Sequence, residues 1–254
     1  MKNDIKKYFD YNVNYWDDLY SKCKNINDVI LIERKDLIKK FIIDNLKRNS
    51  QLLDVGGGAG VLSSDLINKG YNVDLIDISE KMLNLASDKY KKDNLDLKNN
   101  KLIKGNFLEI KIEKIYNCIC ALGFFEYQKN YRENLRAMTN IVNPGGYIIF
   151  NVPIKYNISN FFGFSRIINN IKNNFKNNLH PGLGLKNDIE IKKIIKENNL
   201  KIIKIIEHGY GEIYIINKLL PFRFQKILSR MIAYCDFHKN MSFLKSNRIY
   251  YLQK

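Results

Sequence analysis

The hydrophobic rhythm of the chain changes near residue 50. Before that point apolar residues recur at helical spacing, with Ile30, Leu37, Ile38, Phe41 and Ile42 on one stripe, and the pattern predicts helices over Asp4–Leu19 and Asn27–Leu46. Beyond it, short apolar runs alternate with amphipathic stretches. Strands are expected at 52–55, 72–76, 101–104, 116–121 and 146–152, with helices at 60–69, 80–91 and 130–142. Further on, Asn187–Asn199 reads as a helix, Lys201–Glu207 as a strand and Arg248–Leu252 as a closing strand. Strand–helix alternation predicts a doubly wound α/β fold with a mostly parallel sheet and right-handed crossovers. A ligand then sits at the carboxyl ends of the strands.

The junction of the first strand and first crossover helix carries the most specific signal, Asp54-Val55-Gly56-Gly57-Gly58-Ala59-Gly60. Gly56, Gly58 and Gly60 let the backbone turn tightly and approach a ligand where a Cβ would intrude. The dinucleotide fingerprint G-x-G-x-x-G does not fit, because its third glycine would fall on Val61 or on Ser63. A carboxylate two residues ahead of the first glycine suits a positively charged ligand and repels a pyrophosphate. S-adenosylmethionine is therefore favoured over NAD or FAD.

This motif resembles the opening motif of the class I S-adenosylmethionine-dependent methyltransferases, and three later segments resemble that family in order. Gly70–Ser79 reads as a second strand ending in Asp77, which the resemblance places on the ribose hydroxyls, with Ile78 and Met82 along the adenine. Lys101–Phe107 resembles the third-strand segment. Asn106 stands there where the family usually has an acid, and its amide oxygen can still accept from the adenine amino group, beside Phe107. Tyr116–Tyr127 resembles the fourth strand and its loop, bringing Ala121 and Leu122 to the cofactor, and Asn143–Phe150 resembles the following turn and fifth strand. The resemblance implies a Rossmann-like, seven-stranded sheet whose last strand, 248–252, runs antiparallel. It also implies S-adenosyl-L-methionine as cofactor and S-adenosyl-L-homocysteine as product.

At 254 residues the order of motifs favours one methyltransferase domain over residues 1–254. Its expected parts are an N-terminal helical cap (1–48), a cofactor-binding core (49–153), a lid (154–186) and a C-terminal half (187–254) with an insertion at 208–246. The insertion includes the basic, aromatic stretch Leu219–Ile232, read either as an amphipathic cap helix or as a lid facing substrate or a membrane surface. No apolar run of about eighteen residues predicts a membrane span, and Met1–Lys7 has no signal-like apolar region, so a cytoplasmic protein is expected. The four cysteines, Cys23, Cys118, Cys120 and Cys235, form no C-x-x-C pair; Cys118 and Cys120 share one face of a strand.

A net charge of +16 invites a nucleic-acid partner. The lysines are spread through Asn- and Ile-rich segments without a compact basic, aromatic patch, which favours a compositional origin, and the same field would serve an anionic small substrate or membrane surface. Enzymes that methylate exocyclic amines of nucleic-acid bases carry Asn or Asp, two prolines and an aromatic after the fourth strand; Ala121–Glu126 lacks that sequence. The aromatic opening, with Tyr8, Phe9, Tyr11, Tyr15 and Trp16, resembles the small-molecule enzymes of quinone, tetrapyrrole and sugar pathways, where such rings close over a sulfonium.

Methyl transfer is an in-line displacement, so alignment and exclusion of water matter most, and a base assists a neutral hydroxyl. His180, before Pro181-Gly182, is the favoured base, with a packing or capping role as the alternative. His208 beside Gly209 is a weaker candidate, and His238 is expected in solvent. Glu126 and Tyr127, after the fourth strand, are candidates for the active site, against a plain helix-start role for Glu126. Tyr15 belongs to the aromatic closure, and Arg34 would reach the methionine carboxylate. No His-x-x-x-His spacing suggests a metal. The expected reaction is O-methylation of a small, anionic acceptor, such as a nucleotide-linked sugar or a phosphoryl precursor of a surface polysaccharide. An RNA or protein methyltransferase and a non-catalytic cofactor-binding scaffold are the alternatives.

Overall fold

The computed structural model describes residues 2–22, 26–153, 187–210, 221–224, 227 and 245–254. Three N-terminal helices, α1 (Lys2–Tyr11), α2 (Val13–Lys22) and α3 (Ile26–Asn45), precede β1 (Gln51–Val55), α4 (Val61–Ile67), β2 (Asn72–Asp77), α5 (Glu80–Lys92) and β3 (Leu102–Lys104). Then come β4 (Tyr116–Ala121), a single 3₁₀ turn (Phe125–Tyr127), α6 (Tyr131–Ile141), β5 (Val142–Pro153), α7 (Asp188–Glu197), β6 (Lys201–Tyr210) and β7 (Lys245–Gln253).

The seven strands form one sheet in the order β3-β2-β1-β4-β5-β7-β6. Strands β1 to β5 pair in parallel, whereas β7 is antiparallel to both β5 and β6. The central strands are apolar almost throughout because both faces of the sheet are covered. On one face Leu53, Val55, Ile119 and Phe150 meet Leu135 and Met138 of α6 and Ile191, Ile194 and Ile195 of α7. On the other, Leu52, Val73, Cys118, Cys120 and Tyr251 meet Ile38 and Ile42 of α3 and Leu62 and Leu66 of α4. Between β1 and β4 the chain reverses its direction of travel across the sheet, and that switch point opens a crevice at the carboxyl ends.

Three features depart from the expected elements. The single helix expected over Asp4–Leu19 is two, broken at Asn12, whose side-chain amide donates to the Tyr8 carbonyl at 2.8 Å while its own carbonyl accepts from Tyr15 at 3.0 Å. Asparagine offers the backbone local partners that compete with a continuing helix. β5 starts at Val142 rather than 146, with the turn-like Asn143-Pro144-Gly145-Gly146 inside it. The register against β4 shifts there, Tyr116 pairing with Val142 but Cys118 with Tyr147, as a bulge. A Cβ on Gly146 would lie 2.8 Å from the Asn117 carbonyl, so the bulge admits no side chain at that point. Finally, β6 runs on to Tyr210 and β7 begins at Lys245, which leaves the expected 208–246 insertion starting inside the sheet. Phe222, Arg223, Phe224 and Ile227 are helical and Pro221 before them is not; the other residues of the stretch read at Leu219–Ile232 lie outside the described ones.

Candidate active site

The crevice at the switch point holds a cavity of about 240 Å³. Its floor is the glycine turn after β1. Gly58 has φ 56°, a left-handed conformation natural to glycine, and its N–H donates to Asp77 Oδ2 at 3.0 Å. Asp77 Oδ1 accepts from the Ser79 N–H at 2.8 Å, so the carboxylate ties the end of β2 to the turn. Each oxygen keeps a lone pair for a diol. Burial pushes the Asp77 pKa up to about 6, opposed by the N–H groups of Ser79 and Gly58.

Asp54 lies beneath the same turn. Its Oδ2 accepts from Ser63 Oγ at 2.7 Å, joining β1 to the first turn of α4, and burial raises its pKa to about 6. A Cβ on Gly57 would come within 2.7 Å of that oxygen and of Leu75 Cγ. Gly57 was passed over in the alternating pattern, yet it is the glycine the packed carboxylate requires. The run of three consecutive glycines was the available signal.

The wall of the cavity includes Arg34, Asp54, Gly56, Gly58, Asp77, Ile78, Met82, Asn106, Phe107 and Leu122 of the expected cofactor set, together with Glu126 and Tyr127. Three expected residues stand off it. Gly60 packs α4 on α5, where an added Cβ would meet Ala86 at 2.9 Å. Ala121 is fully buried in the core on the α6 side, since strand alternation turns it from the crevice and brings Leu122 round. Tyr15 is 42% exposed, and its hydroxyl reaches Asp28 at 3.3 Å. His180 and His238 lie outside the described residues.

The N-terminal helices close one side. Ile5 and Phe9 of α1 and Trp16 of α2 line the cavity. Phe9 packs edge-on against Tyr127 at 5.3 Å and, tilted, against Trp16 at 5.7 Å. The Ser79 hydroxyl, which caps α5 by accepting from Met82 N, donates to Asp10 of α1 at 2.5 Å and pins that helix over the mouth.

Beyond the carboxyl end of β4 the chain turns at Gly123, whose N–H donates to Asn151 Oδ1 of β5 at 2.7 Å. Arg34 and Glu126 flank this glycine. Terminal nitrogens of Arg34 lie 3.4 and 3.7 Å, and Glu126 Oε1 3.7 Å, from the position a Cβ would take. Burial raises the Glu126 pKa, opposed by the Arg34 charge. The Asn151 amide lies close enough to favour the carboxylate, though its Nδ2 completes no hydrogen bond of normal geometry. Burial, then the Glu126 charge, drives the Tyr127 phenol above its usual range. His208, near the end of β6, is buried, and neither ring nitrogen has a hydrogen-bond partner among the described residues.

The same architecture occurs in magnesium protoporphyrin IX methyltransferase from Synechocystis PCC 6803, solved with bound SAH. The TM-score is 0.71 at 16% identity, covering 100% of this chain and 99% of that one. Ubiquinone biosynthesis O-methyltransferase from Rickettsia typhi is 25% identical over 203 residues, 79% of this chain and 80% of the relative. Demethylmenaquinone methyltransferase from Oceanobacillus iheyensis is 29% identical over 143 residues, 53% and 58% of the two chains. Residues 30–180 match the family described as "Methyltransferase domain". That match spans more than half of the chain, which belongs to this family and is a class I, small-molecule S-adenosylmethionine-dependent methyltransferase.

Proposed function

We infer that the chain methylates an oxygen on a small acceptor, and that the acceptor is a planar aromatic hydroxyl compound. The observation carrying this reading is the composition of one wall. Phe9, Trp16, Phe124 and Tyr127 line the cavity beside Glu126, so a flat ring would find aromatic faces and a carboxylate together. The quinone-pathway names of the relatives favour the same class, whereas nothing among them supports the nucleotide-linked sugar or polysaccharide precursor expected from the sequence. An anionic substituent on the ring would suit the net charge of +16.

The residues present fit S-adenosylmethionine. Asp77 offers spare lone pairs to a ribose diol, Ile78, Met82 and Phe107 an apolar slot to an adenine, and Arg34 a buried cation whose terminal nitrogens can meet a carboxylate. When bound, the cofactor supplies an activated methyl group on a sulfonium. The chain aligns the acceptor and excludes water. Glu126, with its raised pKa, takes the hydroxyl proton at a carboxylate oxygen, and Tyr127 stays a neutral donor that orients the acceptor. No described helix is long and apolar enough to cross a membrane, and we place the reaction in the cytoplasm.

The test supplies methyl-labelled cofactor to the protein with cell extract fractionated by size, and identifies the product by mass spectrometry. Label on a small phenolic compound is expected. Label confined to RNA or protein would replace this reading with a macromolecular acceptor, and cofactor binding without any labelled product would indicate a scaffold.

A further inference from the structure

Among the described residues, two buried polar groups on facing elements lack hydrogen-bond partners, and they are complementary. Arg34 of α3 is 6% exposed and its Nε has no hydrogen bond. His208 of β6, the strand against which α3 packs, is 2% exposed and neither Nδ1 nor Nε2 has one. A guanidinium only donates, whereas a neutral imidazole has one nitrogen that accepts. The Arg34 charge acts on the imidazole and, after burial, is what holds it neutral, with a pKa near 3. Glu126 already faces the terminal nitrogens across Gly123, and a second carboxylate on the Nε edge would cancel more of the arginine charge. A neutral imidazole can orient the guanidinium and leave its charge for an anion.

We propose that His208 is a positioning residue for Arg34: the two are not hydrogen-bonded to each other in the structure, and when the α-carboxylate at the cofactor's amino-acid end takes up the terminal nitrogens, the unprotonated ring nitrogen of His208 accepts from the guanidinium Nε and fixes the group there. The assignment rests on the reading that Arg34 meets that carboxylate. The terminal nitrogens are the ones beside Gly123 and the cavity, so a carboxylate held there leaves the Nε edge to His208. Phenylalanine or leucine would fill the same space in the core without an unpartnered nitrogen, and packing alone therefore does not account for the imidazole.

The experiment compares calorimetric affinities of the full chain for S-adenosylhomocysteine and for 5′-methylthioadenosine, which lacks the amino-acid end. Arg34→Met should weaken the first by about a hundredfold and leave the second unchanged. His208→Phe should weaken the first by about tenfold with the second unchanged, and His208→Gln, whose amide oxygen accepts, should recover most of the loss. If Arg34→Met leaves both affinities as they were, the carboxylate reading fails and the proposal with it. If Arg34→Met behaves as expected but His208→Phe binds like the parent, the proposal alone fails. Equal weakening of both ligands by His208→Phe means a structural role and overturns it. A measurement on the unsubstituted protein covers the case in which His208→Phe does not fold: the ¹⁵N resonance of the accepting ring nitrogen should shift with S-adenosylhomocysteine and not with 5′-methylthioadenosine, and an unmoved resonance overturns the proposal.

Discussion

The two sides of the crevice are built differently. Along β1 and β2, Asp54, Ser63, Asp77 and Ser79 close hydrogen bonds with one another's elements, so the glycine turn is held in shape by the protein itself. Around β4, β5 and β6, Arg34 Nε of α3, Asn151 Nδ2 and both nitrogens of His208 complete no hydrogen bond among the described residues, whereas on the first side the Tyr90 hydroxyl is left so. Buried polar atoms left open cost stability, and they persist where a ligand or a second arrangement completes them. On the function proposed above, the first side would be preorganised for the nucleoside, and the second would keep its hydrogen-bonding capacity for the reacting end of the complex.

The comparison breaks most sharply at Glu126. Glu126→Gln should lower kcat by about 10²–10⁴-fold with little change in the KM for cofactor, as loss of a base does; a loss confined to cofactor KM would move Glu126 to the nucleoside side. Asp77→Ala removes the acceptor of two backbone N–H groups and of the ribose, and should weaken S-adenosylhomocysteine by about 2–4 kcal/mol in a calorimeter. Unchanged affinity would mean that the turn is not held by that carboxylate. Gly57→Ala forces a methyl group against Asp54 and Leu75 and should cost about 1–3 kcal/mol in denaturant unfolding. A neutral outcome would show that the turn is softer than its packing implies.

Acidity separates His208 from the buried carboxyls by sign, since burial disfavours the charged form of each. The native pKa of His208, about 3, lies below its ordinary 6.5, so between those values the unfolded chain binds the extra proton and the native state loses stability as pH falls. Relative to His208→Gln, the parent should lose about 2 kcal/mol between pH 6.5 and 5. The Asp77 pKa is raised from 3.8 to about 6, so there the native state holds the extra proton and the parent should gain relative to Asp77→Asn as pH falls through 6. Parallel slopes in chemical unfolding would contradict the burial of one of the two residues. The smallest effect is expected from Asp10→Ala, which removes one bond to Ser79 and should cost about 1 kcal/mol of thermal stability.

Much of this was legible in the chain because the sheet announces itself in apolar runs and the nucleoside side is built from residues close in sequence. Asp54, the glycines and Asp77 fall within a single β–α–β segment. The other side was mostly hidden, because Arg34, Gly123, Glu126, Asn151 and His208 are scattered along the chain and meet only through the strand order β1-β4-β5-β7-β6. His180 was preferred over His208 on loop position alone, and the structure describes only the second. Ala121 and Leu122 were assigned together to the cofactor, and the alternation of a strand separates them. The break at Asn12 and the bulge in β5 turn on local hydrogen bonds and register, which periodicity does not carry.

The bond between Ser79 and Asp10 makes two elements depend on one atom. Ser79 caps the helix that follows β2, and through the same oxygen it holds the segment bearing Ile5 and Phe9. The start of α5 and the helix that covers the cavity therefore share a single hydroxyl, and a change at either is felt at the other.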